Sequence, residues 1–237
     1  MTIESVEIFG SSGYLGSYVS SKFPNWHLSY RQDVPSREYS LDFSFPRDYF
    51  DDQVFMDFKM LILNRVQSCN LQGLNYIYFG SISSIPPIVS TYGQRKMEIE
   101  SLVVQNGQTV INLGLVVSDL NPGGRYQTLR RTLQKLPFIL SPNENTFELY
   151  CHELERLSDI DSFILNIQGG RKYLYDNLIR TNLGTVSSRI AKELGIREIR
   201  LGKASSRALE VFIANFSISS LDPLKSLTVK RKLDGLN

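Results

Sequence analysis

The sequence predicts an α/β fold, a mostly parallel sheet doubly wound by helices, with a small C-terminal portion attached. Three observations predict it. Short apolar runs rich in β-branched and aromatic residues alternate with segments of helical period through the first half of the chain. Three glycines, Gly10, Gly13 and Gly16, follow the first apolar run directly and open a helical segment. The 237 residues are 42% hydrophobic, enough apolar material for one large domain core.

Taken in order, "SVEIFG" reads as the first strand and "GYLGSYVSSKF" as a helix that stops before Pro24. "WHLSYR" and "EYSLDF" read as the second and third strands, and "RDYFDDQVFMDF" as a short helix. The apolar run "MLILNRV" reads as a buried strand, and "NYIYFGS" as the next one. Only residues 67–74 separate them, fewer than a parallel crossover takes, so either the crossover is a tight irregular turn or one of the two strands is misplaced. "TYGQRKMEIESLVVQNG" has helical spacing and an Asn-Gly stop, and "TVINLGLVV" is the strand after it. Beyond it, "GGRYQTLRRTLQKL" reads as a helix, and "FELYCHELERLSDIDSFILN" as a strand running into one. "KYLYDN", "TVSSRIAKELG" and "IREIRLG" read as strand, helix and strand. Residues 1–118 are the expected cofactor-binding portion; residues 119–237 complete the sheet and add the small substrate-binding portion of one compact unit.

Composition narrows the function. Charged residues make up 21% and the formal net charge is +2, too mild to argue for nucleic acid or an anionic membrane. Cys69 and Cys151 cannot make a disulfide framework, and two well-separated histidines, His27 and His152, do not make a metal site. No basic leader with a long apolar stretch is present, and the apolar runs fall short of a membrane span. The expectation is a soluble cytoplasmic protein.

Glycines between a strand and a helix let the chain turn sharply, let the backbone approach a ligand, and let the helix pack closely on the sheet. The free amides and the positive end of the helix dipole then face an anion such as a pyrophosphate. After the second strand, "SYRQD" places Arg31 where an arginine favours a 2′-phosphate, so NADP is the expected cofactor, with NAD the alternative. Tyr92 and Lys96 are one helical turn apart and project from one face. A phenol beside an ammonium is favoured as phenolate, and this makes Tyr92 the candidate acid/base. Ser81, Ser83 and Ser84 lie at the C-terminal end of a strand, where a parallel sheet keeps its ligands.

Together "GSSGYLG", "YIYFGSISS" and "YGQRK" resemble the short-chain dehydrogenase/reductase superfamily, in particular its extended, epimerase/dehydratase-like branch in a shortened form. "INLGLVVSDLNPGG", "FELYCHELERLSDI" and "NLGTVSSRIAKELGI" continue the resemblance. It implies a Rossmann-type fold and an NAD(P)-dependent oxidoreductase or epimerase/dehydratase. The implied reaction is hydride transfer on a carbonyl or hydroxyl substrate, with a nucleotide sugar expected. Residue by residue, it implies that Gly10, Gly13 and Gly16 hold the pyrophosphate, with Ser12, Tyr14 and Leu15 of the same turn also at the cofactor. Asp42 is placed near adenine, and Asn64 at a strand end beside the cofactor. Tyr92 becomes the acid/base, Lys96 the ligand of the nicotinamide ribose, and Ser81, or else Ser83, the carbonyl-orienting serine. Arg125, Arg130 and Arg131 are candidates to clamp substrate phosphate. The crossover helix that contributes to the dimer in many relatives is expected to be lost, leaving the oligomeric state open. The rival reading is a non-catalytic dinucleotide-binding protein that acts through a partner.

Overall fold

The computed structural model describes residues 5–86, 90–118, 123–143, 148–206 and 208. In chain order the first elements are β1 (Val6–Phe9), α1 (Tyr14–Lys22), β2 (His27–Ser29), β3 (Tyr39–Asp42) and α2 (Asp52–Gln72). They are followed by β4 (Asn75–Ser81), α3 (Thr91–Gln105), β5 (Thr109–Leu113), β6 (Leu115–Val117), α4 (Gly124–Gln134) and β7 (Ile139–Ser141). The last are β8 (Glu148–Glu153), α5 (Ile160–Leu165), β9 (Lys172–Leu174), β10 (Ile179–Asn182), α6 (Leu183–Leu194) and β11 (Glu198–Arg200).

Six parallel strands form the main sheet in the order β2-β1-β3-β4-β5-β9. Side chains alternate across it, as the pleat requires. Ile77 and Phe79 of β4 join Val19, Leu157, Ile160 and Ile164 on one face, under α1 and α5. Tyr76 and Tyr78 join Phe55, Phe58, Ile62, Ile99 and Val103 on the other, under α2 and α3. Both faces are therefore covered, the arrangement of a doubly wound Rossmann-like α/β sheet. The chain places β2 on one side of β1 and then returns to place β3 on the other. The loops that follow β1 and β3 diverge at that point of reversal, where open parallel sheets keep their ligands.

One expectation is corrected. "MLILNRV" is not a strand but the middle of α2, which runs unbroken for 21 residues. Four consecutive apolar residues fit either element. The wider pattern decides: Phe55, Phe58, Ile62, Val66 and Cys69 recur at helical spacing and are all buried. Asp51 caps the start by accepting from the Val54 amide, and Gly73, left-handed at φ 67°, ends the helix. The crossover from β3 to β4 is thus a full helix packed beside α3, and the helix expected to be missing is present.

"TVINLGLVV" also divides. Gly114 separates β5 of the main sheet from β6, which joins a second sheet of order β10-β8-β6. The short strands β7 and β10 were not foreseen; β7 pairs in parallel with β11. A separate core of Leu115, Val117, Tyr126, Leu129, Ile139, Leu149, Cys151 and Ile190 holds these elements with α4 and α6. Cys69 and Cys151 are buried free thiols, each pushed up to about 12 mainly by burial. Among the described residues, no helix is long and apolar enough to cross a membrane, and no group of His, Cys, Asp and Glu could hold a metal ion.

Candidate active site

Gly10 leaves β1 at φ 77°, a conformation that L side chains rarely adopt, and its carbonyl accepts from the Gly13 amide at 2.9 Å. A Cβ on Gly16 would lie 2.3 Å from that same carbonyl oxygen, so α1 and the turn approach at a distance open only to glycine. Gly13 is the N-cap and no side chain caps the helix. The cap residue itself therefore offers the first-turn amides no side-chain acceptor, at the sheet's ligand edge. Ser12 is exposed, and Leu15 packs into the core. The Tyr14 ring lies against Gly123 and Gly124 at the start of α4. Its hydroxyl is pushed up to about 12, first by burial and then by the charge of Glu155.

The loop after β3 runs beside this turn. Asp42 is fully buried, and its carboxylate is held by Arg65 Nη1 at 2.7 Å, the Tyr76 hydroxyl at 2.6 Å and the Ser44 amide at 2.8 Å. Arg65 comes from α2, lies over the Phe9 ring at 3.8 Å, and donates to the carbonyls of Tyr30 and Arg31 at 3.3 and 2.9 Å. Asp42 thus belongs to the scaffold at the ends of β1, β2 and β3. Arg31 lies just beyond β2 and is exposed. Asn64 sits on an exposed position of α2, not at a strand end; the strand that was to carry it to the cofactor is helix.

The Tyr92–Lys96 pair lies in the first turns of α3, whose N-cap Ser90 accepts from the Gly93 amide at 3.1 Å. The Lys96 ammonium is buried and donates to the Tyr78 hydroxyl at 2.9 Å and the Phe79 carbonyl at 3.0 Å. Burial pulls its pKa below the usual lysine value, while Tyr92, Glu100 and Asp42 oppose that shift. The Phe45 ring stands 4.5 Å from Nζ. Tyr92 meets Phe45 and Tyr49 edge to face, with centroids 5.2 and 5.6 Å apart. The Arg125 guanidinium lies 3.3 Å from the Tyr92 ring centroid, and its Nη1 is buried with no hydrogen-bond partner among the described residues.

Ser81 ends β4. Its Oγ accepts from the Ser83 amide at 3.2 Å, which leaves its own hydrogen to donate. Behind it, Glu100 is sealed from water and accepts from the Ser81 amide at 3.0 Å, the Ser84 hydroxyl at 2.6 Å and Lys172 at 3.1 Å. Glu100 is one helical turn beyond Lys96 and holds the serine turn in place. Its spacing from Lys96 was legible; its pairing with Ser84 and Lys172 was not. Phe45, Tyr49 and Arg65 gave no local signal, because they reach the site from other elements. Of the three arginines in α4, the fold brings Arg125 to Tyr92. Arg130 instead pairs with Glu193 at 3.3 Å, and Arg131 is exposed. A cavity of about 380 Å³ lies away from this cluster, between the ends of β7 and β11 and the start of α6. Ser141, Thr185 and Glu198 are among the residues that line it.

The dinucleotide implied by the resemblance fits the chain at its phosphate end, where the first turn of α1 is uncapped and the backbone is bare at Gly13. At the other end, Phe45 covers Lys96.

No family model matches the sequence, and no curated protein matches it significantly. Solved structures do. A dTDP-4-dehydrorhamnose reductase from Bacillus anthracis, in complex with NADP, superposes with a TM-score of 0.65 at 11% identity, covering 95% of this chain and 98% of that one. The reductase of the same name from Yersinia enterocolitica gives 0.63 at 14% identity, covering 86% and 85%. A UDP-glucose 4-epimerase from Thermotoga maritima, with UDP-glucose, gives 0.60 at 10% identity, covering 94% and 96%. The chain has the fold of these reductases and epimerases. The resemblance read from the glycine turn and the Tyr–Lys helix therefore holds at the level of fold, across nearly the whole described chain.

Proposed function

We propose that this protein is a nicotinamide-dinucleotide-dependent reductase or epimerase/dehydratase that acts on a carbonyl or hydroxyl group of a nucleotide sugar. The observation that carries the reading is the pairing of an uncapped glycine turn after β1 with a Tyr92–Lys96 helix following β4 of the same parallel sheet. The turn's amides would hold the pyrophosphate of NADP, or of NAD, with Arg31 beyond β2 the candidate partner of a 2′-phosphate. A bound nicotinamide supplies or accepts the hydride. The chain's own residues handle the proton: Tyr92 Oη gives it to, or takes it from, the substrate oxygen, with Lys96 one helical turn away on the same face. Ser81 Oγ donates to the same oxygen and orients it, held by the Ser83 amide and the Glu100-bound turn. Arg125, whose buried Nη1 has no hydrogen-bond partner among the described residues and which lies beside Tyr92, is the candidate ligand of a substrate anion.

The test is binding followed by turnover. NADPH should bind more tightly than NADH by titration calorimetry, and a dTDP- or UDP-linked sugar should change the nicotinamide absorbance. Tyr92→Phe should then slow turnover by about 100-fold or more. Absence of dinucleotide binding, or full turnover by Tyr92→Phe, overturns the reading. A second reading, dinucleotide binding without turnover, is favoured by the Phe45 ring over Lys96. It predicts binding with no absorbance change for any sugar offered.

A further inference from the structure

Lys96 is in the position where the proposed function needs a cation to meet a ligand, yet the residue is only 4% exposed. Two of its three N–H groups are spent on Tyr78 and Phe79. Phe45 and Tyr78 both present their rings at 4.5 Å, but their status differs. Tyr78 is a fully buried residue of β4. Phe45 is a partly exposed loop residue whose ring lies against the ammonium.

The backbone that carries Phe45 is anchored on both sides. Ser44, just before it, is tied to Asp42 through its amide and its hydroxyl, and its carbonyl accepts from the Tyr78 hydroxyl at 3.3 Å. Asp42 is in turn fixed by Arg65 and Tyr76. Pro46, just after it, confines Phe45 to extended backbone. What remains free is the side-chain torsion. The ring is held by edge contacts with Tyr92 at 5.2 Å and Phe58 at 5.8 Å and a tilted contact with Tyr49 at 5.6 Å, each individually weak enough to exchange.

We propose that Phe45 determines access to Lys96: its ring stands where a ribose hydroxyl would have to approach the ammonium, and the nicotinamide half of a dinucleotide binds only when that ring turns away. This rests on the function proposed above and deepens it. A hydroxyl must come within about 3 Å of Nζ to bond to it. The glycine turn lies on a different loop and needs no such movement. The phosphate end therefore binds to the resting chain, and the nicotinamide end binds at the expense of the closed rotamer. If the open rotamer is about a tenth of the population, the apparent affinity for the whole cofactor is reduced about tenfold.

The experiment compares NADPH with ADP, which has the pyrophosphate but lacks the second ribose, by titration calorimetry on the full chain. Phe45→Ala should tighten NADPH binding by about tenfold and leave ADP unchanged. Phe45→Leu, which keeps more of the apolar contact, should give a smaller gain and serves if Phe45→Ala melts early. Adding Lys96→Met to Phe45→Ala should erase the gain. Equal NADPH affinity in wild type and both Phe45 variants overturns the gate while leaving the proposed function intact. Failure of every variant to bind NADPH, with ADP still bound, overturns the proposed cofactor and the gate with it.

Discussion

Arg65 Nη1 lies 2.7 Å from Asp42 Oδ2, with the two side chains 3% and 0% exposed. Such a pair is costly to break because either partner alone is a buried, uncompensated charge. Arg65→Met should lower stability by about 3–5 kcal/mol, read from urea melts. Adding Asp42→Asn should recover a good part of the loss. Equal stability of the single and double variants would show that the carboxylate finds another partner.

Gly16 tests the turn. Its Cβ would fall 2.3 Å from the Gly10 carbonyl oxygen, a backbone atom that cannot swing aside. Gly16→Ala should cost about 1–3 kcal/mol and weaken ADP binding, because the turn must open to admit the methyl. Gly107→Ala is the control: its φ is 80° and a Cβ there meets nothing within 4 Å. It should cost about 1–2 kcal/mol through backbone strain and leave ADP affinity unchanged.

Glu100 tests the serine turn. Glu100→Gln replaces one acceptor oxygen by a donor amide facing the Ser84 hydroxyl, the Asn112 amide and the Lys172 ammonium. A loss of about 1–3 kcal/mol is expected, with faster hydrogen exchange at the Ser81 amide. Lys172 is 32% exposed but its partner Glu100 is fully buried, so Lys172→Met should cost about 1.5–3 kcal/mol by removing a charged hydrogen bond from that carboxylate. An unchanged exchange rate in Glu100→Gln would mean that the turn is held by something else.

His152 gives the fold a pH dependence. Its Nδ1 accepts from the Gly114 amide at 2.9 Å and its Nε2 faces the Tyr175 carbonyl at 3.0 Å, so the buried ring is the neutral Nε2–H tautomer. Burial pulls its pKa below the usual 6.5, against the opposing pull of the Tyr175 and Asp176 backbone contacts. As pH falls through 6.5, the unfolded chain takes up a proton that the folded chain still refuses. The stabilisation is complete above 6.5 and is lost as pH falls toward the lowered folded value, by at most about 1.4 kcal/mol per pH unit. His152→Asn, which keeps an acceptor for Gly114, should flatten the slope of stability between pH 7 and pH 5. An unaltered slope would assign it to other groups.

The sequence made the strand–turn–helix at Gly10–Gly16 and the Tyr92–Lys96 helix legible because both are local: a few residues fix their own geometry through turn and helical spacing. It misled at "MLILNRV", where four apolar residues satisfy two periods at once and only the buried stripe from Phe55 to Cys69 decides. Asn64 was misplaced for that reason. Asp42 was read from the resemblance as lying near adenine; that its carboxylate is buried against Arg65 and Tyr76 could not be read. Arg65 is 23 residues away and Tyr76 lies on a neighbouring strand.

The amino-acid order by itself determined that strands and helices alternate, that a bare turn opens α1, and that Tyr92 and Lys96 share one face. Only the tertiary structure decided what stands opposite them: Phe45 over the ammonium, Arg125 over the phenol, Glu100 beneath the serines. Local spacing sets the direction in which a side chain leaves its own element. Its neighbours are set by how the elements pack, and that depends on burying apolar surface across the whole chain.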